Sequence, residues 1–288
     1  MTFRAALSAA GRRLSGVSTA RRDAELLLRW VVARDRAWVI AHPDEKLTPE
    51  QARQFGSWIA RRARHEPIQY ITGEAEFYGL PFRVTRDVLI PRPETEHLVE
   101  KVIEWAASLA ARETAPRIPP LRIVDVGTGS GAIAVALAHQ LPQAAVTAID
   151  LSAPALAIAR ENAERNGVSS RIRFLLGDLL APVAEDRFDI VVSNPPYVPG
   201  ADCASLPVEV RDYEPPVALF AGEDGLEVYR RLTPAAFNVL APGGLVALEI
   251  GYGQDQAVTS LLVSSSFHRI EFFPDLQGIP RVACAQRP

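Results

Sequence analysis

Apolar positions along the chain change their spacing twice. Over residues 1–67 they recur at helical intervals, and TARRDAELLLRWVVA places Ala24, Leu27, Leu28, Val31 and Val32 on one face. Thr48 followed by Pro49 reads as an N-cap and first helical position, opening PEQARQFGSWIARRARHE, which Pro67 closes. The opening MTFRAALSAAGRRL carries arginines on both sides of its apolar stretch and reads as an amphipathic helix rather than a secretory signal. Residues 68–90 lose the helical period. The β-prone runs YITG, EFYGLPFRV and VLIP are punctuated by Gly73, Gly79 and Pro81, which predicts a β-hairpin linking two domains.

From residue 91 the pattern changes again. Pro93 and Glu94 open a helix with Leu98, Val102, Ile103 and Trp105 at helical spacing, and TAPRIPP after it reads as a proline-rich loop. Beyond Leu121, seven strand patterns alternate with helical ones: LRIVDVG, AVTAIDL, RIRFLLGD, FDIVVSN, GGLVALEIG, one further helix-strand unit, and a last strand near RVACAQ. Such alternation predicts an α/β domain with a doubly wound sheet, in which ligands sit at the carboxyl ends of the strands. The expected organisation is a helical domain over 1–67, a hairpin linker over 68–90 and an α/β domain over 91–288.

Composition narrows the class. The chain has 288 residues, 48% of them hydrophobic and 23% charged, enough for one large core and a small one. Cys203 and Cys284 lie far apart without a CxxC spacing, and the five histidines are scattered. Free thiols in a reducing compartment and no metal site are therefore expected. No uncharged apolar run reaches the roughly 18 residues of a membrane span, so a cytoplasmic protein is expected. The net charge of −3 conceals an asymmetry: residues 1–66 hold 13 Lys+Arg against 7 Asp+Glu, leaving the remainder acidic. A basic arm of this kind suits an acidic partner, protein or RNA, and equally a solvated helical surface.

Candidate chemistry falls at successive strand ends. Asp125-Val126-Gly127-Thr128-Gly129-Ser130-Gly131 leaves the first strand and enters a helix, where glycines let backbone approach a ligand and the helix start offers free N–H groups. The second strand ends at Asp150, whose carboxylate suits a ribose diol. The third ends at Gly177-Asp178-Leu179, where a carboxylate suits an adenine amino group and Leu179 the ring face. A dinucleotide fingerprint spaces its glycines G-x-G-x-x-G. Here the third comes one residue early, which fits a nucleoside ligand without a pyrophosphate, such as S-adenosylmethionine.

The fourth strand ends in Asn194-Pro195-Pro196-Tyr197. Asn194 and Pro195 each precede a proline and are pushed to extended conformations, and neither proline has an N–H. The resulting stiff turn is expected to aim the Asn194 side-chain oxygen and the Pro195 carbonyl at one point. Two acceptors there suit a planar NH₂ group, an amide or an aryl amine, whose delocalised lone pair makes it a poor nucleophile. Holding both N–H bonds orients the nitrogen toward a methyl donor. Tyr197 is expected to stack on the planar group.

Together DVGTGSG, AID, GDL and NPPY resemble the class I S-adenosylmethionine-dependent methyltransferases that modify amino nitrogens. GEAEFYGLPF, LIPRPETEHLVE, the NPPY context and LEIGYGQ resemble the peptide chain release factor N5-glutamine methyltransferase family (PrmC/HemK) over residues 66–288. The resemblance implies a helical N-terminal domain, a hairpin linker and a Rossmann-like, mostly parallel seven-stranded catalytic domain. It implies S-adenosyl-L-methionine as cofactor and, as substrate, the glutamine of the Gly-Gly-Gln motif in bacterial class 1 release factors. Carried over by motif, Gly127, Thr128, Gly129, Ser130, Gly131, Asp150, Asp178, Leu179 and Asn194 would bind cofactor. Asn194, Pro195, Pro196 and Tyr197 would hold the glutamine, with Asn194, Pro195 and Tyr197 catalytic. Ile90–Glu96 would form a lid. A monomer without sequence-specific nucleic-acid binding is expected. Leu179 falls where some relatives carry an aromatic residue. Two other readings stand beside this one: a methyltransferase acting on adenine N6 or guanine N2, and a binding module that has lost the chemistry.

Overall fold

The computed structural model describes residues 1–110 and 120–288, so most of the proline-rich loop over 114–120 lies outside the described residues. The chain divides into two compact units: Met1–Glu74 with Pro207–Tyr213, and Ala75–Leu206 with Glu214–Pro288.

In the first unit α1 (Phe3–Arg13), α2 (Ala20–Val32), α3 (Arg36–Ala41), α4 (Pro49–Arg62) and α5 (Ile68–Thr72) enclose a small core. Phe3, Ala6 and Ala10 bury one stripe of α1, and Ala24, Leu27 and Leu28 one stripe of α2. Thr48 caps α4 reciprocally with Gln51: its hydroxyl accepts from Gln51 N at 3.1 Å, and Gln51 Oε1 accepts from Thr48 N at 3.0 Å. Arg62 is buried, yet its charge is met by Asp23 at 2.6 Å, by the Glu66 carbonyl at 3.1 Å and by Glu209 of the later segment. The run YITG, expected as a strand, closes α5 instead. Tyr70 and Ile71 bury a helical face, and Gly73 at φ +80° ends the turn in the left-handed region. Tertiary burial here overrides the β preference of Tyr, Ile and Thr.

The second unit opens with the hairpin β1 (Glu74–Phe77) and β2 (Leu80–Arg83), then α6 (Glu94–Ala110). The run VLIP between them forms no strand. There follow β3 (Arg122–Val126), α7 (Ala132–Gln140), β4 (Ala145–Asp150), α8 (Ala153–Arg165), β5 (Ile172–Leu176) and β6 (Phe188–Ser193). The short α9 (Val208–Arg211) belongs to the first unit. The chain ends with α10 (Glu227–Val239), β7 (Leu240–Glu249), α11 (Asp255–Ser264), β8 (His268–Pro274) and β9 (Pro280–Gln286).

Seven strands form one sheet in the order β5-β4-β3-β6-β7-β9-β8. The first five are parallel, β9 runs antiparallel to β7, and β8 antiparallel to β9. Strand residues alternate between two cores: Ile123, Ile190, Leu245 and Ala247 pack with α6, α7 and α8, while Val124, Val191, Val246 and Leu248 pack with α10 and α11. Chain order reverses at β3, which has β4 on one side and β6 on the other. Register aligns the strand ends there, Val126 beside Ile149 and Ser193, and Ser193 beside Leu248. This is the switch point where an open α/β sheet leaves a crevice.

Candidate active site

The glycine turn is shaped by backbone geometry. Gly127, Gly129 and Gly131 have φ of +73°, +55° and +82°, values that a side chain disfavours. At Gly131 a Cβ would also sit 3.1 Å from Ala159 Cβ, so this glycine lets α7 approach α8. Asn162 of α8, fully buried, binds the turn to the hairpin: its Nδ2 donates to the Ser130 carbonyl at 2.8 Å, and its Oδ1 accepts from Arg83 N at 2.6 Å. Asp125, at the end of β3, lies beneath the turn. Its Oδ2 accepts from Thr128 Oγ1 at 2.6 Å and Ala134 N at 3.2 Å, and its Oδ1 has no partner among the described residues. Burial pushes this carboxyl up to about 7.

Asp150 ends β4 with one N–H on each oxygen, Gly129 N at 2.7 Å and Ser152 N at 2.8 Å. Each oxygen keeps a lone pair for a ligand hydroxyl. Burial raises this carboxyl above its ordinary value against those hydrogen bonds. Beyond β5, Leu179 takes φ +51°, and Asp178 pairs with Arg231 of α10. A cavity of about 470 Å³ opens over these strand ends, within the roughly 300–1,000 Å³ of small-molecule sites. Gly127, Gly129, Asp150, Asp178, Leu179, Asn194 and Pro196 line it. Its remaining wall includes Leu151, Val217 and Phe220, apolar surface suited to a flat ring.

Other residues expected at the site serve it from behind. The Thr128 hydroxyl turns onto Asp125, Ser130 is buried, and Pro195 is buried beneath the corner. Tyr197 does not line the cavity. Its ring packs against the α10–α11 core, its hydroxyl donates to Glu249 Oε1 at 3.3 Å, and its carbonyl accepts from Gln254 Nε2 at 3.0 Å. A Cβ on Gly225 would lie 2.3 Å from the Tyr197 carbonyl oxygen, and one on Gly251 3.0 Å from its ring. These two glycines are the space the corner needs.

Asn194 follows β6 and lines the cavity. Its Nδ2 donates to Thr95 Oγ1 at 3.1 Å, and Thr95 in turn donates to Glu249 Oε2 at 2.6 Å. Glu249 ends β7, is 2% exposed, and burial pushes its carboxyl up to about 7. Tyr229 donates to the Glu249 carbonyl at 2.7 Å. Burial, with the nearby Glu249 charge, holds the Tyr197 phenol well above its usual value. In the sequence Asp125 is visible only as the start of the glycine turn, Thr95 only within the lid segment Ile90–Glu96, and Glu249 only within LEIGYGQ. The available signal was an acid within or closing an apolar run at a strand's carboxyl end, in IVDV and in LVALE.

Residues 5–73 match the PrmC N-terminal domain, and residues 107–208 match the methyltransferase small domain. A methyltransferase from Pyrococcus furiosus shares the fold with a TM-score of 0.51 at 21% identity, over 79% of this chain and 98% of that one. A T. thermophilus 16S rRNA N2 methyltransferase, solved with AdoMet and guanosine, gives 0.54 at 21% identity, over 75% of this chain and 50% of that one. Fold, strand-end site and domain match define a methyltransferase.

Full-length relatives make the assignment narrower. The release factor glutamine methyltransferase of Moorella thermoacetica is 46% identical over 100% of this chain and 99% of its own. Those of Koribacter versatilis and Cereibacter sphaeroides are 41% and 44% identical, covering 100% and 98% of this chain and 99% and 98% of their own. The chain belongs to the release factor glutamine methyltransferase family.

Proposed function

We propose that this protein transfers a methyl group from S-adenosylmethionine to the side-chain amide nitrogen of the glutamine in the Gly-Gly-Gln motif of class 1 release factors, in the cytoplasm. The observation that carries the reading is the Asn194 amide. Its nitrogen donates to Thr95 and the residue lines the cavity, so Oδ1 is taken as the acceptor offered to a substrate there. An acceptor there suits an N–H of a primary amide, and the Pro195 carbonyl is assigned the second N–H.

The cavity residues fit the cofactor in chemistry and size. Gly127 and Gly129 offer close backbone, Asp150 accepts from a ribose diol, and Leu151, Leu179 and Val217 face a purine ring. Asp178, paired with Arg231, keeps lone pairs for an exocyclic amine. Bound there, S-adenosylmethionine supplies an electrophilic sulfonium methyl. Asn194 and Pro195 fix the amide nitrogen with its lone pair toward that side. Orientation of this kind is worth up to roughly 7–11 kcal/mol of barrier. Pro196 stiffens the corner, and Tyr197 braces it from behind through Glu249. The methylated nitrogen is acidic and loses its proton to water, so no strong base is required. The helical region over 1–67 is assigned to docking the release factor, and residues 91–288 to chemistry.

Mass spectrometry of a release factor after incubation with enzyme and cofactor tests the proposal. One added methyl on the glutamine of the Gly-Gly-Gln motif is expected. Label appearing on DNA or rRNA in parallel reactions, with the release factor unmodified, would replace this substrate with a nucleobase amine.

A further inference from the structure

We propose that Thr95 and Glu249 are positioning residues that decide which end of the Asn194 amide faces the substrate. This rests on the reading of Asn194 given above. An asparagine amide has a donor end and an acceptor end of nearly the same shape, so nothing in Asn194 itself selects one. Only an acceptor facing the cavity can hold a substrate NH₂.

The selection comes from a hydrogen-bond chain with one direction. Glu249 is an acid at the buried end of β7. As a carboxylate it has only acceptors, so the one proton of the Thr95 hydroxyl is drawn to Oε2 at 2.6 Å. The Thr95 oxygen then has only lone pairs to offer Asn194, and it takes the Nδ2 end at 3.1 Å. Reversing the amide would require the Thr95 proton to turn toward Asn194, leaving a buried carboxylate oxygen without that donor. Such an orphan is costly. The second oxygen, Oε1, accepts from Tyr197, three residues further along the same corner. One carboxylate thus holds both ends of Asn-Pro-Pro-Tyr.

The chain has its direction only while Glu249 is ionised. The groups around that carboxyl are the Thr95, Tyr197 and Tyr229 hydroxyls, the Glu94 carboxylate and the Arg281 guanidinium. Burial outweighs the hydrogen bonds and Arg281 and pushes Glu249 up to about 7. Protonated, it can donate to Thr95, which frees the Thr95 proton for Asn194 Oδ1 and lets the amide present NH₂ to the substrate. Activity therefore rises with pH through about 7.

Four variants test this: Thr95→Val, which keeps the shape and removes the hydroxyl, Thr95→Ser, Glu249→Gln and Asn194→Ala. For each, kcat and KM on the release factor are measured from pH 5.5 to 8.5, with cofactor affinity, affinity for a Gly-Gly-Gln peptide without turnover, and melting temperature. Thr95→Val is expected to fold, bind cofactor normally, and lose about ten- to hundredfold in kcat/KM and in peptide affinity, the range for one hydrogen bond to a charged network. Thr95→Ser restores both. The acid limb near pH 7, present in the wild type and Thr95→Ser, is absent from Thr95→Val and Glu249→Gln. Wild-type kcat/KM with an unchanged acid limb in Thr95→Val, while Asn194→Ala is inactive, overturns the relay and leaves the Asn194 assignment standing. Normal turnover in Asn194→Ala overturns both. Should Thr95→Val not fold, Glu249→Gln decides alone: a persisting acid limb overturns the relay, and its loss supports it.

Discussion

Replacing Asp125 by asparagine should stabilise the protein at alkaline pH and not at acid pH. The carboxyl is fully buried under the glycine turn, with one oxygen hydrogen-bonded and the other without a partner among the described residues. Its folded pKa is raised from the ordinary 3.8 to about 7, chiefly by burial. A raised acid contributes stability while protonated in the fold, and that contribution is lost as pH climbs through the folded value. About two of the roughly three units of this rise lie between pH 5 and pH 7. At about 1.36 kcal/mol per unit, the wild type loses roughly 2–3 kcal/mol between pH 5 and pH 8 from this group. Asparagine keeps the shape, can still accept from Thr128 and Ala134, and does not ionise. Its NH₂ meets the same unpartnered space, a cost of about 1–3 kcal/mol at every pH. The stability difference between variant and wild type should therefore move by roughly 2–3 kcal/mol in the variant's favour from pH 5 to pH 8. That is about 5–10 °C in melting temperature for a unit of this size. Glu249 titrates in the same window but is common to both proteins and cancels. Urea unfolding without cofactor, followed at pH 5, 6, 7 and 8, gives the difference directly. A difference that stays flat across that range would refute the reasoning.

Three further outcomes follow from named contacts. Asp150→Ala removes the carboxylate that meets the Gly129 and Ser152 N–H groups, and should weaken cofactor binding by about ten- to a hundredfold in calorimetry. Gly225→Ala places a Cβ 2.3 Å from the Tyr197 carbonyl oxygen at a φ of +74°. It should cut kcat by more than about tenfold with cofactor affinity retained, because displacement of the corner misplaces the acceptors. Arg62→Leu leaves Asp23 buried without its 2.6 Å partner and should cost about 3–5 kcal/mol in urea unfolding of the first unit.

The sheet was legible because periodicity and strand-end motifs agree. Apolar strands such as RIVDV and FDIVVS alternate with helices, and each candidate motif sits where a strand stops. The glycines at 127, 129 and 131 marked a turn with room for close backbone approach, and all three take positive φ. Helix α5 was not. Its five residues give less than two turns of pattern, too few to separate a helix from a strand, and burial of Tyr70 and Ile71 decides the matter. Inclusion of Pro207–Tyr213 in the first unit was equally hidden, since it depends on Glu209 meeting Arg62, 147 positions away. Tyr197 reads from sequence as a stacking platform. The cavity instead receives Asn194 and Pro196, because an extended chain through two prolines turns the tyrosine toward Glu249. Thr95 escapes notice for a related reason: its role exists through partners just after β6 and at the end of β7, 99 and 154 residues further on.

The two acids raised to about 7 sit at the carboxyl ends of parallel strands, Asp125 one residue before the end of β3 and Glu249 at the end of β7, and their strand neighbours are apolar and buried. For stability alone, an apolar residue of similar size at either place would serve better, since a buried ionised group is repaid only when its hydrogen bonding is complete. Asp125 is incompletely bonded, and Glu249 is bonded through groups that belong to the substrate corner. Local rules of a foldable sequence tend to be broken where function needs the exception. Here both exceptions fall at strand ends beside the switch point, and both act on donors or acceptors next to the cavity rather than inside it. The site is consequently set from behind: Asp125 holds the Thr128 hydroxyl and the Ala134 N–H beneath the glycine turn, and Glu249 holds the Asn194 amide through Thr95.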